Sequence, residues 1–291
     1  MGLDINSVLF LIDAHKKGVR FDDVLTLGRQ HLNVFPAKMA QVLQRHGLPA
    51  DPFQQNAPET IHADPFFKCL GAREVDGLDV SDFEGARFVH DLNQPIKPEL
   101  KERFGVVYDG GSLEHVFNFP VALKNCMEMV RVGGRFFTHT SANNWCGHGF
   151  YQFSPELFFR VLSEENGFKC ERMVIHRVGP YGRWYEVYDP KTIHARVELV
   201  TVAPVQLLIQ AQRISAVPIF AQTPQQSDYS VRWEDPNQPG GKAAPFNPAR
   251  STLAQTFPNL MRLVNVIKMC GVLLRTQTIM NRKSFRPVKK P

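Results

Sequence analysis

The chain is expected to be an α/β protein built on a doubly wound, mostly parallel sheet, and three observations predict this. Short apolar runs alternate with amphipathic segments at βαβ spacing up to residue 214. Successive runs end in Gly, Asp, Glu, His and Asn, as expected where the strands of an open α/β sheet deliver polar groups to a ligand. Past Ser215 the composition changes, which separates a main domain over 1–214 from a C-terminal extension over 215–291.

The elements follow in chain order. A helix is predicted over 5–17, with Gly18 as its C-cap. The apolar run 24–28 ends in glycine and reads as a buried parallel strand. Pro36 opens a helix whose apolar face is Met39, Val42 and Leu43. A Pro-, Gln- and Asn-rich loop over 48–61 precedes a short helix over 63–70. The second strand spans 74–80 with Asp79 near its end, and the third spans 87–90, closed by Asp91-Leu92-Asn93 and Pro95. The fourth, 104–108, runs into Asp109, Gly110-Gly111 and Ser112. Val116, Leu123, Met127 and Val130 then keep helical spacing. A Gly133-Gly134 turn leads to a fifth strand over 135–140. Ser154 and Pro155 start a helix that runs to Glu165 and stops at Asn166-Gly167. A sixth strand over 169–178, a helix and a last strand over 205–214 complete the main domain. In the extension, 222–250 is an irregular segment rich in Pro, Gln, Asn and Gly. An amphipathic helix over 258–281 follows, interrupted by Arg262, Lys268 and Arg275, and then a basic tail.

At 291 residues, with 43% apolar and 21% charged residues, the chain can bury a sizeable core. The net charge of +6 is partly local, because Arg282, Lys283, Arg286, Lys289 and Lys290 crowd the tail. Such a tail reads first as a solvated terminus. With the helix before it, the tail leaves peripheral membrane contact open, and the helix could instead dock on the body or on a second subunit of a homodimer. No basic patch interleaved with aromatics accompanies it, so no specific nucleic-acid partner is expected. The five cysteines are odd in number and form no C-x-x-C pair, which suits reduced thiols. The apolar run 8–12 is too short for a signal core, and no stretch approaches the roughly 20 apolar residues of a membrane span. A cytoplasmic protein is expected.

The segment with Glu114-His115 after the fourth strand, a helix, and Val132-Gly133-Gly134 before the fifth resembles the class I S-adenosylmethionine-dependent methyltransferases. The resemblance extends from about residue 21 to about residue 214. It implies a Rossmann-like sheet of seven strands with the last antiparallel. It also implies S-adenosyl-L-methionine as cofactor, and methyl transfer to a small-molecule, sugar or lipid-linked acceptor. On this resemblance Asp79 meets the ribose hydroxyls, and Asp91, with Asn93 nearby, meets the adenine amino group. Asp109, Gly110 and Ser112 lie beside the methyl group, with His115 close by.

The loop after the first strand keeps one glycine, in Leu27-Gly28-Arg29-Gln30-His31. Arg29 there either pairs with the cofactor carboxylate, fills the cofactor space or repels the sulfonium. Glu114 and His115 either cap the next helix or enter the site. His148, between Gly147 and Gly149, is sterically open and of the residue type most often used as a general base, and it is the catalytic candidate together with Tyr151. Cys146, His148 and His139 lack the spacing of a zinc site, and no metal is expected. The altered loop also fits a catalytically degenerate binding or scaffold protein of the same fold. A nicotinamide-dependent oxidoreductase is disfavoured, because G-x-G-x-x-G is missing.

Overall fold

The structure is a computed structural model that describes residues 2–53, 62–180, 182–227 and 258–291. Strand β1 (Gly2–Leu3) leads into helix α1 (Ile5–Lys16). The N-cap Asp4 accepts from the Asn6 and Ser7 amides while Ser7 Oγ accepts from the Asp4 amide, a reciprocal cap that fixes the helix start. β2 (Asp23–Leu27), β3 (His31–Leu32) and α2 (Pro36–Arg45) follow. α3 (Asp64–Cys69) precedes β4 (Glu74–Asp79) and the short β5 (Phe88–Val89). β6 (Phe104–Asp109) is buried along its whole length, as a central parallel strand must be. Next come α4 (Phe119–Met129), β7 (Val130–Asn143), α5 (Pro155–Val161) and β8 (Phe168–Arg177). β9 (Trp184–Val187), the single-turn α6 (Pro190–Ile193), β10 (Val205–Arg213), α7 (Pro258–Thr276) and β11 (Phe285–Val288) complete the described chain.

Nine of these strands form one sheet in the order β11-β9-β8-β10-β7-β6-β2-β4-β5, and β1 pairs with β3 apart from it. From β5 to β7 every pairing is parallel. Counted in chain order within this sheet, the stretch reads third, second, first, fourth, fifth, which is the doubly wound order. Its switch point lies between β2 and β6. β10 is antiparallel to both β7 and β8, as the resemblance implies for a last strand.

The expected seven-stranded, mostly parallel sheet needs correction. Among the described residues this sheet has nine strands, and the pairs β7–β10, β8–β10, β8–β9 and β9–β11 are antiparallel against four parallel ones. The two additional strands arise because β8 returns directly into β9, and β11 then adds to the free edge of β9. A short return needs no crossover helix, and antiparallel pairing is what it produces.

Several local expectations change as well. β7 begins at Val130, and Gly133-Gly134 lies within it, where the register against β6 shifts. Glu114 and His115 do not cap α4. They belong to a separate 3-10 turn, Leu113–His115, and α4 starts after Asn118 with no side-chain cap. The helix expected over 154–165 stops at Val161, and a turn at Glu164–Asn166 follows, closed by Gly167 at φ 73°. The helix before the last strand shrinks to α6. Phe285 is fully buried and Lys290 Nζ donates to Asn6 Oδ1 at 2.8 Å, so the tail folds back on the main sheet instead of extending into solvent. The loop beyond Phe53 as far as 61, and the irregular segment beyond Ser227, lie outside the described residues.

Alternation along the strands builds two cores, one on each face. Leu25, Leu27, Val107, Phe136, Leu207 and Ile209 face α4 and α5, packing on Leu123, Met127 and Phe158. Val24, Val106, Tyr108, Phe137 and Leu208 face α1, α2 and α3, packing on Phe10, Leu11, Leu43 and Phe67. On α7, Leu263, Ile267 and Leu274 are exposed. Among the described residues no helix is long and apolar enough to cross a membrane.

Candidate functional site

At the carboxyl end of β2 the chain turns at Gly28, with φ 69°. The Gly28 amide donates to Leu78 O at 2.7 Å, which ties the ends of β2 and β4 together. A Cβ on Gly28 would lie 3.4 Å from Asp79 Oδ2. Asp79 Oδ1 accepts from the Val80 amide at 2.6 Å, and Oδ2 has no hydrogen-bond partner among the described residues. A free carboxylate oxygen therefore stands beside bare backbone at the switch point of the sheet.

The next residues explain the altered loop. Immediately after Gln30 the chain pairs with β1, and the Ala63 amide donates to Gln30 O at 2.8 Å. This fixes the Gln30 side chain inward, where it is 3% exposed. Gln30 Nε2 donates to Leu27 O and lies 3.4 Å from Ser112 Oγ. Only glycine fits opposite it, since a Cβ on Gly110 would collide with Gln30 Oε1. That Oε1 is buried without a hydrogen-bond partner. Arg29 goes the other way. Its Nη2 sits 3.3 Å from Asp64 Oδ1, and its alkyl chain lies against Gly77 of β4. Gln30, not Arg29, fills the space between the ends of β2 and β6. Residue type gave no signal for this, because it follows from the pairing of β3 with β1.

Asp109 ends β6 fully buried. Its Oδ1 accepts from the amides of Ser112 (2.7 Å) and Leu113 (3.3 Å), and its Oδ2 accepts from Thr138 Oγ1 at 2.7 Å. Burial pushes its carboxyl above the usual range against these donors. Asp109 thus shapes the turn through Gly111 (φ 93°) and offers no free oxygen to a ligand. Ser112 Oγ donates to Leu27 O at 2.8 Å, closing the turn against β2. Asp91 is exposed, and its Oδ1 takes both the amide and the side-chain Nδ2 of Asn93, which lowers its pKa. It lies just past β5, on the same sheet end as Asp79.

The second group lies along the same turn. Glu114 is buried, and its Oε2 accepts from Thr140 Oγ1 at 3.0 Å. Burial and the neighbouring Asp109 push its carboxyl up to about 7. His148 Nε2 stands 3.8 Å from Glu114 Oε1, and the His115 and His148 rings meet edge to face at 5.0 Å. Burial and His148 lower the pKa of His115. The loop carrying His148 is held by backbone. The Phe150 amide donates to Glu114 O at 2.7 Å, and a Cβ on Gly149 would come within 2.7 Å of that oxygen. Tyr151 is occupied otherwise, donating from its hydroxyl to Phe117 O at 2.6 Å.

The expected residues therefore form two adjoining groups, joined by the turn from Ser112 to His115. Gly28, Asp79, Gly110 and Ser112 make one, with Gln30 added. His115 and His148 make the other, around Glu114. Elsewhere, a cavity of about 550 Å³ is lined by Arg177, Gly179, Arg183, Tyr185, Pro204 and Ile279. Among the described residues its lining holds two guanidinium groups and no carboxylate, a poor match for ribose hydroxyls or a sulfonium.

An antiparallel strand lodged between the fifth and sixth strands of a doubly wound sheet decides the architecture. The fold is α/β and Rossmann-like. No family model and no curated protein matches the sequence. Solved structures similar to it include one from Listeria monocytogenes described as an S-adenosylmethionine-dependent methyltransferase. That pair is 13% identical, with 71% of this chain and 97% of that chain covered at a TM-score of 0.38. Another is a SAM-dependent methyltransferase from Thermotoga maritima (14% identity, 72% and 89% covered, TM-score 0.37). A third is the branched-chain polyamine synthase of Thermus thermophilus (13%, 73% and 57%, TM-score 0.37), solved with N4-aminopropylspermidine and 5′-methylthioadenosine. These likenesses are loose, and the fold assignment stands on the strand order of the chain itself.

Proposed function

We propose that the protein transfers a methyl group from S-adenosyl-L-methionine to a small-molecule, sugar or lipid-linked acceptor. The observation that carries this reading is the unpartnered Asp79 Oδ2 beside Gly28 at the switch point. The residues present fit the cofactor. Asp79 accepts from two vicinal ribose hydroxyls, and Gly28 lets the adenosyl group approach the backbone. Gln30 Oε1, buried against Gly110, is a further acceptor left without a partner at this sheet end. When bound, the cofactor supplies an electrophilic methyl group on a sulfonium. The protein's part is then mainly alignment, because an in-line displacement gains most from proximity. Asp109 holds the turn that aims Gly110 and Gly111, and His148 Nε2 accepts a proton from a hydroxyl or amine acceptor, with Glu114 Oε1 behind it.

Calorimetric titration with S-adenosylhomocysteine tests this. Saturable submillimolar binding is expected, and Asp79→Ala should weaken it about tenfold or more, the worth of a charge-assisted hydrogen bond. A wild-type protein that does not bind the ligand overturns the proposal and leaves the catalytically degenerate binding or scaffold reading of the fold.

A further inference from the structure

We propose that Glu114, His115 and His148 form a binding site for a divalent first-row transition cation, with zinc(II) as the probe. One ligand atom from each of the three lies within 4.8 Å of the others. Donors around a single cation, with bonds of about 2.1 Å, stand about 3.4 Å apart. The gap is small and closes by turning the two histidines, of which His115 is exposed and His148 half-buried, while Glu114 stays fixed.

Three features mark the cluster as built. Glu114 is a buried carboxylate with no Lys or Arg partner among the described residues, and a buried charge is costly unless something neutralises it. Its Oε2 is held by Thr140, which leaves Oε1 aimed at His148, as an outer-shell hydrogen bond orients a ligating carboxylate. The loop that brings in His148 is pinned to the Glu114 carbonyl through Phe150 and Gly149, and Trp145 packs on the His148 ring at 5.0 Å. Two imidazole nitrogens and one carboxylate oxygen suit zinc, iron(II) or manganese better than magnesium or calcium, which favour all-oxygen shells. Three protein ligands leave coordination positions open. Sequence spacing conceals the set, because His148 lies on a different loop from Glu114-His115.

The role of the cation rests on the methyl-transfer reading above. In the second group of the site, an open position takes the oxygen of a hydroxylated acceptor and lowers the pKa of its proton. The acceptor class is therefore an alcohol or phenol, and the proton leaves to solvent; with the cation bound, His148 serves as a ligand in place of its role as base. The test separates the two readings. Full-length, chelator-treated protein is titrated with zinc alone and, separately, with S-adenosylhomocysteine. One zinc per chain is expected at micromolar affinity or tighter. His115→Ala and His148→Ala should each weaken it at least tenfold, and Glu114→Gln likewise. Both histidine variants should keep a melting temperature close to the wild type in chelator, since His115 is exposed and His148 only half-buried. The site is overturned if zinc does not bind saturably. It is overturned equally if the His115→Ala/His148→Ala double variant binds zinc as the wild type does, for instance through His31 and His62, whose rings lie 5.0 Å apart. Zinc binding with the expected losses but no S-adenosylhomocysteine binding supports the cation site and removes only its role in methyl transfer.

Discussion

Trp184→Ala is expected to destabilise the protein by about 3–5 kcal/mol, the usual cost of deleting a buried aromatic side chain. Trp184 is fully buried, and its ring packs edge-on against Phe10 at 6.0 Å. Its indole Nε1 donates to Asn6 Oδ1 at 3.0 Å. The guanidinium of Arg172 lies 5.6 Å from the ring centre and Lys290 Nζ 5.9 Å. One side chain thus joins α1, β8, β9 and the segment after β11. Truncation opens a cavity and also frees the edge pair β9–β11, whose hold on the rest of the sheet runs through β8. Denaturant midpoints measure the loss, and hydrogen exchange should show β9 and β11 deprotected before β6. A loss below about 1 kcal/mol would mean that the indole is not an anchor.

Asp109→Ala is the second large effect, with an expected loss of about 2–4 kcal/mol. The substitution leaves the Ser112 and Leu113 amides and the Thr138 hydroxyl without their acceptor inside the protein. Asp109→Asn should cost far less. The amide retains an acceptor for the turn, and burial already disfavours the charged carboxylate that it replaces. Thermal melts of the two variants side by side check this. Equal losses would show that charge, not hydrogen-bond geometry, is what the turn requires. Because the same turn carries Gly110, Ser112, Glu114 and His115, the alanine variant should also lose S-adenosylhomocysteine binding, beyond its effect on stability.

Much of the fold was legible because periodicity and punctuation agree in the first half of the chain. Pro36, Gly18 and Gly28 mark element ends, and the run 104–109 is apolar enough to be nothing but a central strand. What escaped is set by long-range pairing. Trp184 to Val187 and Phe285 to Val288 are each four residues long, too short for alternation to register, and they become strands only by pairing, β9 with β8 and β11 with β9. The site divides in the same way. Asp79 and Gly28 could be placed from strand ends alone. Asp109 could be placed too, but its burial and its commitment to the turn could not be read from its type. The position of Gln30 depends on β3 pairing with β1, and the meeting of His148 with Glu114 depends on a loop pinned through Gly149, so neither had a local signature.

The central claim is that the cofactor sits at the switch point, beside Gly28 and Asp79. Amide resonances of isotope-labelled protein, followed during addition of S-adenosylhomocysteine, test it most directly. Shifts are expected at Gly28, Gln30, Asp79, Gly110 and Gly111, with Gly179 and Gly182 unmoved. Shifts confined to the cavity around Arg177 and Ile279, or none anywhere, would contradict it.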